Sequence, residues 1–99
     1  MTEVTIVNFD YDTDNQLAIY IGNDLFKSGD QYHDKINPWT HGFVNGLNMS
    51  NLVNKHFQIS AFQIPTNEEE YVDAMPETLE ECRTKFSKDW EQVSVETWE

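Results

Sequence analysis

The sequence predicts an α+β domain: an antiparallel sheet of four to five strands with one or two helices packed on one face. Two observations carry this. Runs of β-branched and aromatic residues alternate at 4–11, 16–21 and 56–64, and two later stretches repeat their apolar residues at helical spacing. Ninety-nine residues with 38% hydrophobic and 13% aromatic content suffice for one core, so residues 1–99 are read as a single domain.

In the first run Val7, Phe9 and Tyr11 point one way and Val4 and Ile6 the other. Asp12-Thr13-Asp14-Asn15 is a turn cluster, since Asp and Asn bond their own backbone and tolerate left-handed conformations. The second strand sets Leu17, Ile19 and Ile21 against Ala18 and Tyr20. Gly22-Asn23-Asp24 then turns the chain into a short strand at 25–27, ended by Ser28-Gly29-Asp30.

Residues 31–37 read as a polar connection. Asn37-Pro38 has the form of a helix start, with Asn as cap and Pro at the first helical position. Trp39, Phe43 and Leu47 would form its apolar face, although Gly42 and Gly46 each cost about 1 kcal/mol relative to Ala. The helix is expected to end near Asn48. The strand at 56–64 sends Phe57, Ile59 and Ala61 to one face and stops at Pro65. Met75-Pro76-Glu77-Thr78 opens the strongest helix, with Leu79, Cys82, Phe86 and Trp90 as its stripe. Residues 93–97 alternate and predict a last strand.

Charge separates this chain from an average domain. Eighteen acids against six bases give a net charge of −12. Residues 1–34 carry −6, 35–67 carry +2 and 68–99 carry −8. Direct nucleic-acid binding is not expected, because phosphate affinity comes from Lys and Arg displacing counterions. An anionic membrane surface is disfavoured for the same reason. With no signal-peptide pattern at Met1-Thr2-Glu3-Val4, no long apolar run and a single cysteine, Cys82, a cytoplasmic protein is expected.

No motif specifies a reaction, metal or cofactor, and a non-catalytic protein is expected. Asp10-Tyr11-Asp12-Thr13-Asp14 opens like a calcium loop, but Asn15 replaces the required Gly and Ile21 the bidentate Glu. The same string resembles the aspartate nucleophile loop of the haloacid-dehalogenase phosphatases. Asp14 stands where that family has Thr or Val, and the chain is too short for its fold. His33, His41 and His56 lack the spacing of a zinc pair. Cys82 falls on the apolar stripe and reads as a small buried hydrophobe.

Residues 68–81 hold seven acids and no base. Glu77, Glu80 and Glu81 suit the N-terminus of a helix, where the macrodipole favours negative charge. Glu68, Glu69, Glu70 and Asp73 precede that helix and have no such explanation. In size and charge the chain resembles the small phage-encoded DNA mimics, among them anti-restriction proteins, anti-CRISPR proteins and uracil-DNA glycosylase inhibitors. The likeness is one of composition, with no shared motif. It implies an inhibitor that occupies the nucleic-acid channel of a basic partner protein, in the host cytoplasm if phage-encoded. Glu68, Glu69, Glu70, Asp73, Glu77, Glu80 and Glu81 would stand in for phosphates, with Asp10, Asp12 and Asp14 as a second patch. The alternatives are an interaction domain whose acidity serves solubility and, third, a small metal-dependent enzyme using the acidic turn and the histidines.

Overall fold

A computed structural model describes residues 1–11, 14–50, 52–53, 55–65, 72–87 and 90–98. Five strands, β1 (Thr2–Asp10), β2 (Asn15–Ile21), β3 (Asp24–Asp30), β4 (Phe57–Pro65) and β5 (Glu91–Val93), form one sheet in the order β3-β2-β1-β4-β5. With the helices α1 (Gln31–Asp34), α2 (Ile36–Met49) and α3 (Leu79–Lys85) they make the α+β domain that the periodicity predicts.

The sheet is mixed where an antiparallel one was expected. The neighbours β1–β2, β2–β3 and β4–β5 are antiparallel, but β4 lies parallel to β1 from Thr2↔Phe57 to Asp10↔Pro65. A parallel pair needs a crossover of a dozen residues or more, and the α1–α2 connection supplies one. Alternation reveals that a strand exists. It does not reveal its direction.

The helices also take opposite faces of the sheet. Val4, Ile6, Leu17, Ile19 and Ala61 pack with Ile36 and Val44 of α2 and with Trp98. Val7, Phe9, Ala18, Tyr20 and Ile64 pack with Cys82 of α3 on the other side. The reason is visible in β1 and β2, which are apolar at both parities and must be covered twice. Val4, Ile6, Val7, Phe9, Leu17 and Ile19 have no solvent exposure, and each such side chain contributes about 1.5–3 kcal/mol relative to exposure.

Local chemistry shifts several boundaries. Gly22, at φ 61, makes the β2–β3 turn. β3 continues beyond 25–27 to Asp30, because Lys27 pairs with Ile19 and Leu25 with Tyr20, leaving Phe26 as an extra, bulged residue. Asp30 caps α1 through its carboxylate, which accepts from His33 N–H at 2.6 Å and Asp34 N–H at 3.3 Å. The expected polar connection is therefore partly helical. Lys35, at φ 53, links α1 to α2.

α2 begins at Ile36, before the expected Asn37 cap. The Asn37 amide is engaged elsewhere, exchanging hydrogen bonds of 2.8 and 3.0 Å with Asn15. The buried line is Ile36, Thr40 and Val44, with the Thr40 hydroxyl donating to the Ile36 carbonyl at 2.8 Å. Trp39 and Phe43 flank that line. α3 starts at Leu79 behind the Thr78 cap and ends at Lys85, shorter than its stripe suggested. Trp90 lies beyond it and donates from Nε1 to the Phe86 carbonyl at 2.7 Å. The predicted strand at 93–97 is instead the end of β5 followed by a 3-10 turn, Val95–Trp98.

Candidate functional site

The acidic candidates are organised by a strap, residues 72–79, laid along β2 on the α3 side of the sheet. One buried amide fastens its beginning. Gln16 Nε2 donates to the Val72 carbonyl at 2.6 Å, and Gln16 Oε1 accepts from Val72 N–H at 3.0 Å and from the Tyr11 hydroxyl at 2.7 Å. Midway, the Tyr20 hydroxyl donates to the Pro76 carbonyl at 2.8 Å. At the far end Leu25 N–H donates to the Glu77 carbonyl at 2.8 Å and Leu79 N–H to the Asn23 carbonyl at 2.9 Å. The strap thus follows β2 from Gln16 to the β2–β3 turn, roughly 20 Å at the rise of an extended strand.

Its acids divide between the two ends. At the Gln16 end lies Asp73, exposed, beside a cleft of about 180 Å³ whose lining includes Gln16, Ser28, Asp30, Asp34 and Met75. The β1–β2 connection ends here as well. Exposed Asp10 pairs across the ladder with Asn15 and accepts from Gln63 Nε2 at 3.2 Å. Asp14 is half-buried, and its carbonyl accepts from Tyr11 N–H at 3.0 Å. At the other end stand Asp24, Glu77, Glu80 and Glu81, all exposed. Glu81 N–H donates to Thr78 Oγ1 at 3.1 Å and Glu80 N–H to Asn23 Oδ1 at 3.0 Å, so both carboxylates project from a capped first turn.

The structure therefore brings Asp10 and Asp14 to the same end as Asp73, and places Glu77, Glu80 and Glu81 at the opposite end. Asp12, Glu68, Glu69 and Glu70 lie outside the described residues. Among the described residues no cationic nitrogen lies within 4.0 Å of the carboxylates of Asp73, Glu77, Glu80 or Glu81. The bases of α3 are directed to aromatic rings instead. The Arg83 guanidinium lies 4.4 Å from the Trp90 centroid and 5.4 Å from that of Phe62, and Lys85 Nζ is 5.6 Å from that of Phe86.

Two acids at the cleft went unremarked as site residues in the sequence. Asp30 is 4% exposed, and its Oδ2 lies 3.0 Å from His33 Nδ1. That hydrogen bond, and then the charge of Asp30, raise the affinity of His33 for a proton, with Asp34 and Asp14 acting in the same sense. The cap spacing Asp30–His33–Asp34 was the available signal. Ser28 lines the same cleft, but among the described residues its hydroxyl makes no hydrogen bond to His33. A Ser–His nucleophile pair is not assembled there. Among the described residues no group of three or more His, Cys, Asp or Glu side chains is placed to hold a metal ion. Cys82 is fully buried, and burial pushes its thiol up while a hydrogen bond with Tyr20 opposes the shift.

No protein-family model, no curated protein and no solved structure matches this chain. Among the described residues, no helix is long and apolar enough to cross a membrane.

Proposed function

We propose that the protein is a non-catalytic acidic inhibitor that occupies the nucleic-acid channel of a basic enzyme by presenting carboxylates in place of phosphates. It would act in the cytoplasm, the host cytoplasm if phage-encoded, in the manner of anti-CRISPR or anti-restriction proteins. One observation carries this proposal. The strap sets acids at both ends of a path of roughly 20 Å, while the α3 bases are turned onto aromatic rings. A duplex of that length carries about twelve phosphates, a density that an acidic face can approach. The proposal includes Glu68, Glu69 and Glu70 because they precede the strap in the sequence, and Asp10, Asp12 and Asp14 because Asp10 and Asp14 stand at the end of β2 where the strap begins.

The test is inhibition of DNA cleavage by basic nucleases of the restriction and CRISPR classes. The protein should inhibit at least one of them. Replacing Glu68, Glu69 and Glu70 together by Lys should abolish that inhibition while leaving the fold intact by circular dichroism. Inhibition that survives the triple reversal would overturn the assignment of these residues. No inhibition of any nuclease tested would leave the acids as a solubility device on an interaction domain.

A further inference from the structure

We propose that His33 is a pH-controlled counterion of the cleft at the start of the strap: protonated, it competes with the cationic groups of a basic partner for the carboxylate of Asp30. This rests on the inhibitor function and concerns the regulation of that same acidic surface. The lining of the cleft includes Ser28, Gly29 and Asp30 of β3, Asp34 of α1 and the first residues of the strap. Three of its groups are carboxylates, those of Asp30, Asp34 and Asp73, and among the described lining residues there is no Lys, Arg or His.

Local chemistry brings the imidazole to this carboxylate. Asp30 ends β3 and caps α1, accepting from the N–H groups of His33 and Asp34. The capped turn folds back on its cap. Asp34 Oδ2 accepts from Asp30 N–H at 2.9 Å, and His33 Nδ1 lies 3.0 Å from Asp30 Oδ2. Glycine at 29 permits the close approach, because a Cβ there would stand 2.9 Å from Asp34 Cβ. The His33 ring is exposed and exchanges protons with solvent, while its partner carboxylate is buried. Water screens a buried carboxylate less, so a cation beside it counts for more.

The charged groups that face the ring are acids. Asp30 acts from β3, first through the hydrogen bond and then through its charge; Asp34 acts from α1 and Asp14 from the β1–β2 connection, and desolvation opposes them. Tyr32 packs T-shaped against the imidazole, with centroids 4.8 Å apart. A cation brought into the cleft meets the same carboxylates that hold the imidazolium proton. It weakens their hold on that proton, and by reciprocity the proton weakens their hold on the cation. Below the raised midpoint of His33 the cleft therefore has one positive charge beside it and takes a basic partner less well. Above that midpoint the charge is gone and binding reaches full strength.

Hexa-arginine titrated into the full chain at low ionic strength, followed by calorimetry and by the NMR titration of His33, gives the test. Its affinity should rise about threefold from about pH 5.5 to about pH 8.5, a range in which ordinary carboxylates stay ionised. At saturation the His33 midpoint should fall by about half a unit, the shift that linkage ties to a threefold change. His33→Gln should bind throughout this range as the natural chain does at its upper end. A peptide that does not bind, that leaves the His33 midpoint unmoved, or whose pH dependence survives His33→Gln would overturn the proposal. The expected peptide response with no nuclease inhibited would uphold His33 as the counterion and overturn the inhibitor function. Inhibition of a nuclease with an unmoved His33 midpoint would do the reverse.

Discussion

Gln16 is a neutral amide, 5% exposed, whose carbonyl and NH₂ group hold both backbone groups of Val72 and the Tyr11 hydroxyl. Leucine in its place keeps the volume and removes the amide, leaving the buried Val72 N–H and carbonyl without the hydrogen bonds that Gln16 makes to them. Gln16→Leu is expected to cost about 3 kcal/mol in urea unfolding. The Val72 amide should be the first in its neighbourhood to lose hydrogen-exchange protection. Retention of both stability and protection would show that the strap does not depend on this amide. His33 sets a second expectation, with a sign. Its folded proton affinity is raised by the hydrogen bond to Asp30 and then by the charges of Asp30, Asp34 and Asp14. Its stabilising effect is therefore complete below the unfolded value near 6.5 and is lost as pH rises through the raised folded value. Because the ring is exposed, the readout is its own NMR titration. Asp30→Asn should move the midpoint down, and an unchanged midpoint would exclude Asp30 as the cause.

At the scale of elements, α3 is held by its cap more than by its length. Seven residues are too few for a helix that stands on propensity alone. Thr78→Ala removes the acceptor for Glu81 N–H and is expected to cost about 1 kcal/mol, read as a shift in the urea midpoint at constant slope. An unchanged midpoint would mean that packing of Leu79, Cys82 and Phe86 suffices. The Leu79–Cys82 part of the stripe was legible in the sequence, as were β1, β2 and β4, because period two and period 3.6 are written directly in the apolar positions; the alternation at 93–97 belongs instead to the end of β5 and a 3-10 turn. The direction of β4 was not legible, since parallel and antiparallel strands share one alternation. The one-residue bulge at Phe26 was equally hidden, because it depends on which residue of β2 each residue of β3 meets. The two-sided burial corrects the expectation of helices on one face, although the apolar residues of β1 and β2 fall on both parities and carried that signal.

At the scale of the molecule, charge and layers coincide. The face covered by α2 draws on the acid-free stretch 35–67, and the face covered by the strap and α3 draws on the acidic stretch beginning at 68. The sequence displayed these blocks, but only the hydrogen bonds of Gln16, Tyr20 and Asn23 reveal that the acids follow β2. Those bonds join residues more than fifty positions apart and leave no local pattern. With a radius of gyration of 12.9 Å the chain matches the size expected for its length, so its charge is carried on a small body. The central claim is that this charge competes for a nucleic-acid channel. Displacement of labelled duplex DNA from a nuclease that the protein inhibits, followed by fluorescence anisotropy across a salt series, tests it most directly. The account predicts displacement that weakens steeply with salt and disappears on Lys substitution of Glu68, Glu69 and Glu70; displacement indifferent to both would contradict it.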